Sequence, residues 1–453
     1  MKRSRMIAYS AGSLGTALSM QCFNAFAPIF YMDVLKLSPA LFGIGMTIYA
    51  IWNAINDPLV GHISDRTQSR WGRRIPYIAF LTLPLALSFM IVWICPFNAD
   101  AGQMTFLFIY FLVAIHLLDT LWTFVVLNWT ALFPEMYPDE KSRAVVSGWR
   151  QLFSVIGLIL GIALPPMIYG QIGWPAMGVL FGVITGVSFF ISLWGSEEKK
   201  EFSREKGLGF REALIASFRS RSFRWFLLLN IFIQFVFETL TASLPFYAKY
   251  VLGIPGSEGM KTSILLGVSF IVAMPMLYVW TKVTQRIGAR KTLLVSLAIF
   301  GLGLIPFLFV GSYTAAVVTM ACAGAGLAGL IMLTDLLLAD IVDEDELATG
   351  VRREGMFFGM NGFVIRFSIA MKALVMSGIF IATGYDAHLA IGQQPSSALL
   401  GLRLLISIVP LVGVVIACLG TWAYPLHGER LGRVKTEVAR LHEEKARRLA
   451  AQG

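Results

Sequence analysis

Twelve times along this chain an apolar stretch of about 20 residues or more, the length that crosses a bilayer as a helix, gives way to a short polar segment. That alternation constrains the fold more than any single motif. In lipid the backbone must satisfy its own hydrogen bonds, which for segments of this length means α-helices. The spans fall at 6–36, 40–63, 75–96, 104–135, 144–170, 173–197, 223–252, 258–283, 291–312, 313–342, 354–384 and 397–424. Several exceed the minimum length, which predicts tilted or curved helices. Only 14% of residues are charged, where a soluble domain carries about 25%, and the mean hydropathy is +0.70. The reading is an all-α polytopic membrane protein. The N-terminal Met-Lys-Arg-Ser-Arg leads into a run too long for a signal peptide, so the first span is expected to be retained. Cys22, Cys95, Cys322 and Cys418 all lie in apolar runs and read as small core residues rather than as disulfide or metal ligands.

The net charge of +10 does not point to nucleic acid, because of where the charge sits. Of the 37 Lys and Arg, 31 fall in the N-terminus, alternate loops and tail, and three, Lys36, Lys249 and Lys261, fall on the opposite side. The positive-inside rule then places both termini in the cytoplasm of a cell-membrane protein. The longest basic segment, 198–222, divides the chain into 1–197 and 223–424, each with six spans, followed by a tail at 425–453. Ser69-Arg70-Trp71-Gly72-Arg73-Arg74 after the second span is echoed by Gln285-Arg286-Ile287-Gly288-Ala289-Arg290-Lys291 after the eighth. Two similar six-helix halves suggest a transporter that rocks about a site near the bilayer midplane. Both halves lie in one chain, so a monomer is expected. The tail lacks a long apolar run and reads as an amphipathic helix, suited to anionic headgroups.

Ionisable residues inside spans are costly and mark function by default. Asp57 lies in the second span, with Asn53 one turn earlier on the same face; Asn56 is read as pointing elsewhere. Pro58 removes a backbone donor and can free a carbonyl one turn back. Carboxylate, amide and carbonyl oxygens suit a small cation, and the carboxylate alone suits a proton; a packing salt bridge to Arg150 or Arg366 is the bland alternative. Asp119 in the fourth span shares a face with His116, an arrangement for proton relay or polar-ligand binding, or for an interhelical pair. Glu238, near Gln234, Thr239 and Thr241, is expected to line a cavity. Arg366 and Lys372 lie in the eleventh span, and Arg366 is too deep to snorkel, with Asp57 and Asp335 as candidate partners. Arg150 is expected to meet an acid or headgroups.

Tyr31, Trp52, Trp122, Trp129, Phe246 and Tyr247 offer surfaces for stacking a sugar. Arg70, Arg73 and Arg74 are expected to pair with Glu135 or with the acidic cluster 340–346, including Asp340 and Asp343, as a gate, unless they serve only as topology determinants. The run Ala323–Gly329 reads as a close helix approach. There is no phosphate-cradling loop, nucleophile–base pair or metal-ligand spacing. No enzyme activity and no cofactor beyond a coupling ion is expected.

These residues resemble the glycoside–pentoside–hexuronide:cation symporters, the melibiose-permease branch of the major facilitator superfamily. The likeness rests on Asn56-Asp57-Pro58-Leu59-Val60-Gly61 with Ser64-Asp65-Arg66-Thr67, on Asn128-Trp129-Thr130-Ala131-Leu132-Phe133-Pro134-Glu135, and on Asp340–Gly350 with Arg352-Arg353-Glu354-Gly355. It implies a fold of twelve helices in two pseudo-symmetric bundles, a cation site on helices two and four, and sugar recognition by carboxylates on helices one and four and bases on helices five and eleven. Asp57 matches the second acid of the helix-two pair and Asn53 replaces the first. Arg150 and Arg366 match the basic positions. Ala17 and Val126 stand where the family carries acids. One remaining carboxylate with an amide neighbour favours H+ over Na+.

The expectation is a symporter of a small polar solute, a sugar or glycoside, bound among Asp119, Trp122, Glu238, Arg150 and Arg366. A lysolipid or other amphiphile carrier is the alternative, and a non-transporting sensor the reading from another class.

Overall fold

The computed structural model describes residues 3–137, 140–198, 218–350 and 353–450, and all regular structure among them is helical. The helices are α1 Arg3–Ser10, α2 Gly12–Pro28, α3 Pro39–Arg66, α4 Ile75–Trp93, α5 Met104–Met136, α6 Glu140–Ala163, α7 Pro165–Ile172, α8 Trp174–Gly195, α9 Arg221–Tyr250, α10 Gly259–Ile287, α11 Ala289–Leu304, α12 Tyr313–Thr349, α13 Glu354–Thr383, α14 Ser396–Ile406, α15 Ile408–Ala423 and α16 Gly428–Ala450. Their positions follow the twelve expected spans closely, with the first, fifth and twelfth each built from two consecutive helices. Residues 199–217, most of the expected linker, lie outside the described residues.

Ten spans among the described residues are long and apolar enough to cross a membrane. The remaining two expected spans, the first and second, are the polar ones. The 17-residue α2 carries Ser13, Thr16, Ser19, Gln21 and Asn24, and α3 carries Asn53, Asn56 and Asp57. Side chains such as Ile51, Phe80, Ile271, Leu302 and Trp422 are exposed on the spanning helices. Apolar exposure of this extent is the surface that lipid covers.

Two compact units emerge. The first gathers α1–α8 with Glu238–Gly267 and Ile369–Leu405. The second holds α9 up to Phe237, Val268–Ser368, and Ile406 onward. Within the first, α2 ends at Pro28 and runs into a π-helical turn, Ile29–Val34. A π turn re-aims side chains and recurs at functional positions; here it carries Asp33. Within the second, Asn230 Nδ2 donates to Asn361 Oδ1 at 2.8 Å, linking α9 to α13. The run Ala323–Gly329 is a close approach, as expected. A Cβ on Gly326 would lie 2.5 Å from the Phe300 nitrogen and 2.7 Å from the Ser296 carbonyl of α11.

The acidic cluster 340–346, most of it beyond the expected end of the tenth span at 342, forms the last turns of α12. Its physical reason is a helical partner. Asp340 pairs with Lys435 at 3.1 Å, Glu344 with Arg430 at 2.7 Å and Glu346 with His442 at 3.1 Å, all on α16. Charge-paired docking keeps α12 helical well past its apolar part. Replacing Gly326 with Leu, where backbone rather than a flexible side chain is in the way, should destabilise the protein by about 1–3 kcal/mol or more. Gly378→Ala, with open space around it, should be near neutral in the same thermal-unfolding assay.

Candidate functional site

α3 and α5 pack along their lengths and bring polar residues of both helices together. Asp119, fully buried on α5, accepts from the Tyr49 hydroxyl at 3.2 Å, from the Asn53 amide, and from the Asn56 amide at 3.1 Å. The Asn56 amide lies 2.9 Å from the Thr123 hydroxyl, and that hydroxyl donates to Asp57 Oδ1 at 3.2 Å. Two carboxylates are thus bridged by neutral amide and hydroxyl groups in one network. Asn56 is fully buried and its Oδ1 has no hydrogen-bond partner among the described residues. Such an acceptor, on an amide whose nitrogen already serves Asp119 and Thr123, fits a cation or an added proton.

Two expectations change here. Asn56, read as pointing away, is the central bridge. On a helix i and i+3 share a face, so Asn53 and Asn56 turn together toward α5. Asp119 is not directed at His116; that ring's Nδ1 lies 2.7 Å from the Leu112 carbonyl of its own helix, because a half-buried imidazole takes the nearest backbone acceptor.

Arg150 stacks on aromatic faces rather than on an acid. Its guanidinium carbon lies 4.6 Å from the ring centroids of both Trp129 and Phe133, a cation–π arrangement that fixes the plane and leaves N–H groups for a ligand. Of the aromatic residues singled out, Tyr31, Trp129, Phe246 and Tyr247 are core, and Trp52 Nε1 is held by Thr120 at 3.1 Å. Trp122 differs: its buried Nε1 has no partner among the described residues. Arg366 sits half-buried midway along α13.

Glu238, expected to line a cavity, lies in an ion pair that sequence reasoning missed. Lys372 Nζ is 3.0 Å from Glu238 Oε2 and donates to the Asn24 carbonyl at 3.0 Å, while Asn24 Nδ2 donates to Glu238 Oε1 at 3.2 Å. The pair is buried, and each partner holds the other's charge in a low dielectric. Asp33 was missed too. It is buried and accepts from Lys249 at 2.5 Å, from Tyr250, and from Tyr385 at 2.6 Å. The signal was present as an acid ending the first span and a lysine, Lys249, ending the seventh.

The basic loop resolves in favour of Glu135. Arg73 Nη2 and Arg74 Nη1 approach Glu135 Oε1 at 2.7 and 3.1 Å. Burial lowers the Arg74 pKa from its ordinary value, and Glu135 opposes that shift. Glu198, unread in the sequence, accepts from the backbone nitrogens of Arg73, Arg74 and Ile75 at 3.0, 2.9 and 3.3 Å. It caps α4 from the end of α8, and Gly72, at φ 104°, makes room for it. Arg70 stacks on Trp71 at 4.3 Å. Asp340 turns to Lys435 instead, and Asp343 is half-buried on the same helical extension.

Removing one member of the Glu238–Lys372 pair strands a buried charge. Lys372→Met should cost about 3–5 kcal/mol. The double variant Lys372→Met/Glu238→Gln should recover most of that loss in thermal unfolding; equal losses in single and double variants would contradict a buried pair.

Comparison with known proteins fits this geometry. The chain matches the family described as MFS/sugar transport protein over residues 8–428. An isoprimeverose transporter from Lactiplantibacillus pentosus is 26% identical, over 93% of this chain and 88% of that protein. A sodium-dependent lysophosphatidylcholine symporter 1-A from Danio rerio is 22% identical, over 92% and 83%. Among solved structures, a bacterial homologue of the human lysosomal transporter Spinster, inward-facing and unoccupied, superposes with a TM-score of 0.67 at 16% identity, covering 94% of this chain and 98% of that one. That last likeness concerns the fold alone. The resemblance read from the motifs is borne out: the chain is a multi-pass membrane protein that belongs to the MFS/sugar transport protein family.

Proposed function

We propose that the protein is a cation-coupled symporter of a sugar or glycoside, and not an enzyme, working by alternating access in the cell membrane with both termini and the basic loops in the cytoplasm. The two six-helix halves, 1–197 and 223–424, are the bodies that move. The observation that carries this reading is the Asp57–Thr123–Asn56–Asp119 network with its orphaned amide oxygen.

Coupling requires that ion and substrate each favour the state the other binds. In our reading the ion sits between Asp57 and Asp119. The sequence alone suggested a solitary acid and hence a proton. Two carboxylates, the Asn56 oxygen and the Thr123 hydroxyl form a richer oxygen set, which favours sodium, a hard cation. Substrate recognition falls to groups of the first unit with unused donors, Trp122 Nε1 and the Arg150 guanidinium. Glu238 and Lys372, a buried pair in the same unit, are groups that a hydroxylated ligand can share. Arg73, Arg74 and Glu135 hold the basic end of the first unit together, and Asp33 with Lys249, Tyr250 and Tyr385 holds its opposite end. Likeness to a lysophosphatidylcholine symporter favours an amphiphile as the second reading of the substrate.

In proteoliposomes presented with glycosides, pentosides, uronates and lysolipids, one class should evoke charge movement under a sodium gradient. Asp57→Asn and Asp119→Asn should each abolish it. Thr123→Val, which keeps shape but removes the bridging hydroxyl, should weaken sodium dependence by about tenfold, the scale of one charge-assisted hydrogen bond. A current driven equally by a pH gradient without sodium would transfer the coupling role to a proton; no current for any class, with folded protein, would overturn symport.

A further inference from the structure

At the basic end of the second unit, the ends of α9, α12, α13 and α16 border an open cavity of about 520 Å³. Four guanidinium groups line it, those of Arg219, Arg221, Arg353 and Arg430, against two carboxylates, Glu344 and Asp345. Two of the four are engaged. Arg353 places Nε and Nη2 on Asp345 at 2.8 and 2.5 Å, a two-pronged grip, and Arg430 holds Glu344 at 2.7 Å. Arg219 and Arg221 are exposed and have no acidic partner among the described residues.

Helix ends add to the positive field. Ser220 caps α9, accepting from the Phe223 nitrogen at 3.1 Å, and the Arg353 carbonyl accepts from the Met356 nitrogen at 3.1 Å as α13 begins. Helix N-termini carry partial positive charge and favour anions. An excess of guanidinium over carboxylate in a concave site, with two prongs already shown gripping carboxylates, matches the planar, multidentate recognition of phosphate.

We propose that this cavity binds a phosphate-bearing anion, from a soluble phosphorylated compound or from a lipid headgroup, and that the anion competes with Glu344 for Arg430. That competition would loosen α16, which is docked on α12 through Arg430–Glu344, Lys435–Asp340 and His442–Glu346. The site is separate from the transport reading and stands whatever the substrate is.

The test uses the full chain in phosphatidylcholine nanodiscs titrated with inorganic pyrophosphate in a calorimeter. Wild type should bind saturably, and Arg219→Gln/Arg221→Gln should bind about tenfold or more weakly while keeping the wild-type unfolding temperature. Arg433→Gln, on the exposed face of α16, serves as the charge control and should bind like wild type. Adding phosphatidylglycerol to the nanodiscs separates the sources: competition with pyrophosphate supports a headgroup ligand, and undiminished binding supports a soluble one. Deuterium exchange of α16 should rise when pyrophosphate binds. Absence of pyrophosphate binding, or equal weakening by Arg433→Gln, would overturn the site; unchanged exchange in α16 would overturn the competition with Glu344.

Discussion

A carboxyl group in the interior of a membrane protein needs fixed donors in place of water. Asp119 meets that condition through Tyr49, Asn53 and Asn56, all contributed by α3. The dependence runs both ways. α3 is too polar to stand among the apolar spans, and its amide N–H groups are satisfied because α5 presents Asp119 and Thr123 along the shared face. Packing of the two helices and assembly of the Asp57–Asp119 network are therefore one event. A substitution that removes one donor weakens the helix pair and the site together.

Charge pairs set the ends of the first unit in a similar way. At one end Asp33 draws in Lys249, Tyr250 and Tyr385; at the other Glu135 draws in Arg73 and Arg74, while Glu198 fixes the loop backbone that aims them. Desolvation offsets much of the attraction in a buried ion pair. Such contacts specify an arrangement without adding large net stability. On the proposed function that property suits a closure, which must be unambiguous in one state and breakable on the way to the other.

Legibility in the sequence followed the range of the interactions. Spans were readable because hydropathy is a local property, and the structure departs from the expected boundaries by only a few residues in most helices. The single large departure, the helical acidic cluster at 340–346, arises from α16, nearly ninety residues away in the chain for Arg430 and Glu344. Individual polar residues were readable as anomalies, Asp57 and Asp119 above all, but not their partners. Adjacency to Asp57 made Asn56 look turned away, whereas its i, i+3 spacing from Asn53 puts both amides toward α5, where Asp119 and Thr123 meet them. Lys372 was visible as a buried base and Glu238 as a buried acid; nothing local joined them, since 134 residues separate the two. Aromatic residues were the least informative, because stacking on a ligand and packing in a core select the same side chains.

The neutral character of the groups between Asp57 and Asp119 bears on how an ion could do work. A fixed base at that position would satisfy the acids permanently, and ion binding would then change little. Amide and hydroxyl groups can donate to the carboxylates when the ion is absent, and the Thr123 hydroxyl and the Asn56 oxygen can turn to the ion when it is present. The same side chains thus serve two hydrogen-bonding states with similar geometry. On the proposed coupling, ion arrival shifts which state is favoured without having to break a strong ion pair first, so its binding free energy is available to bias the conformation of the helices that carry it.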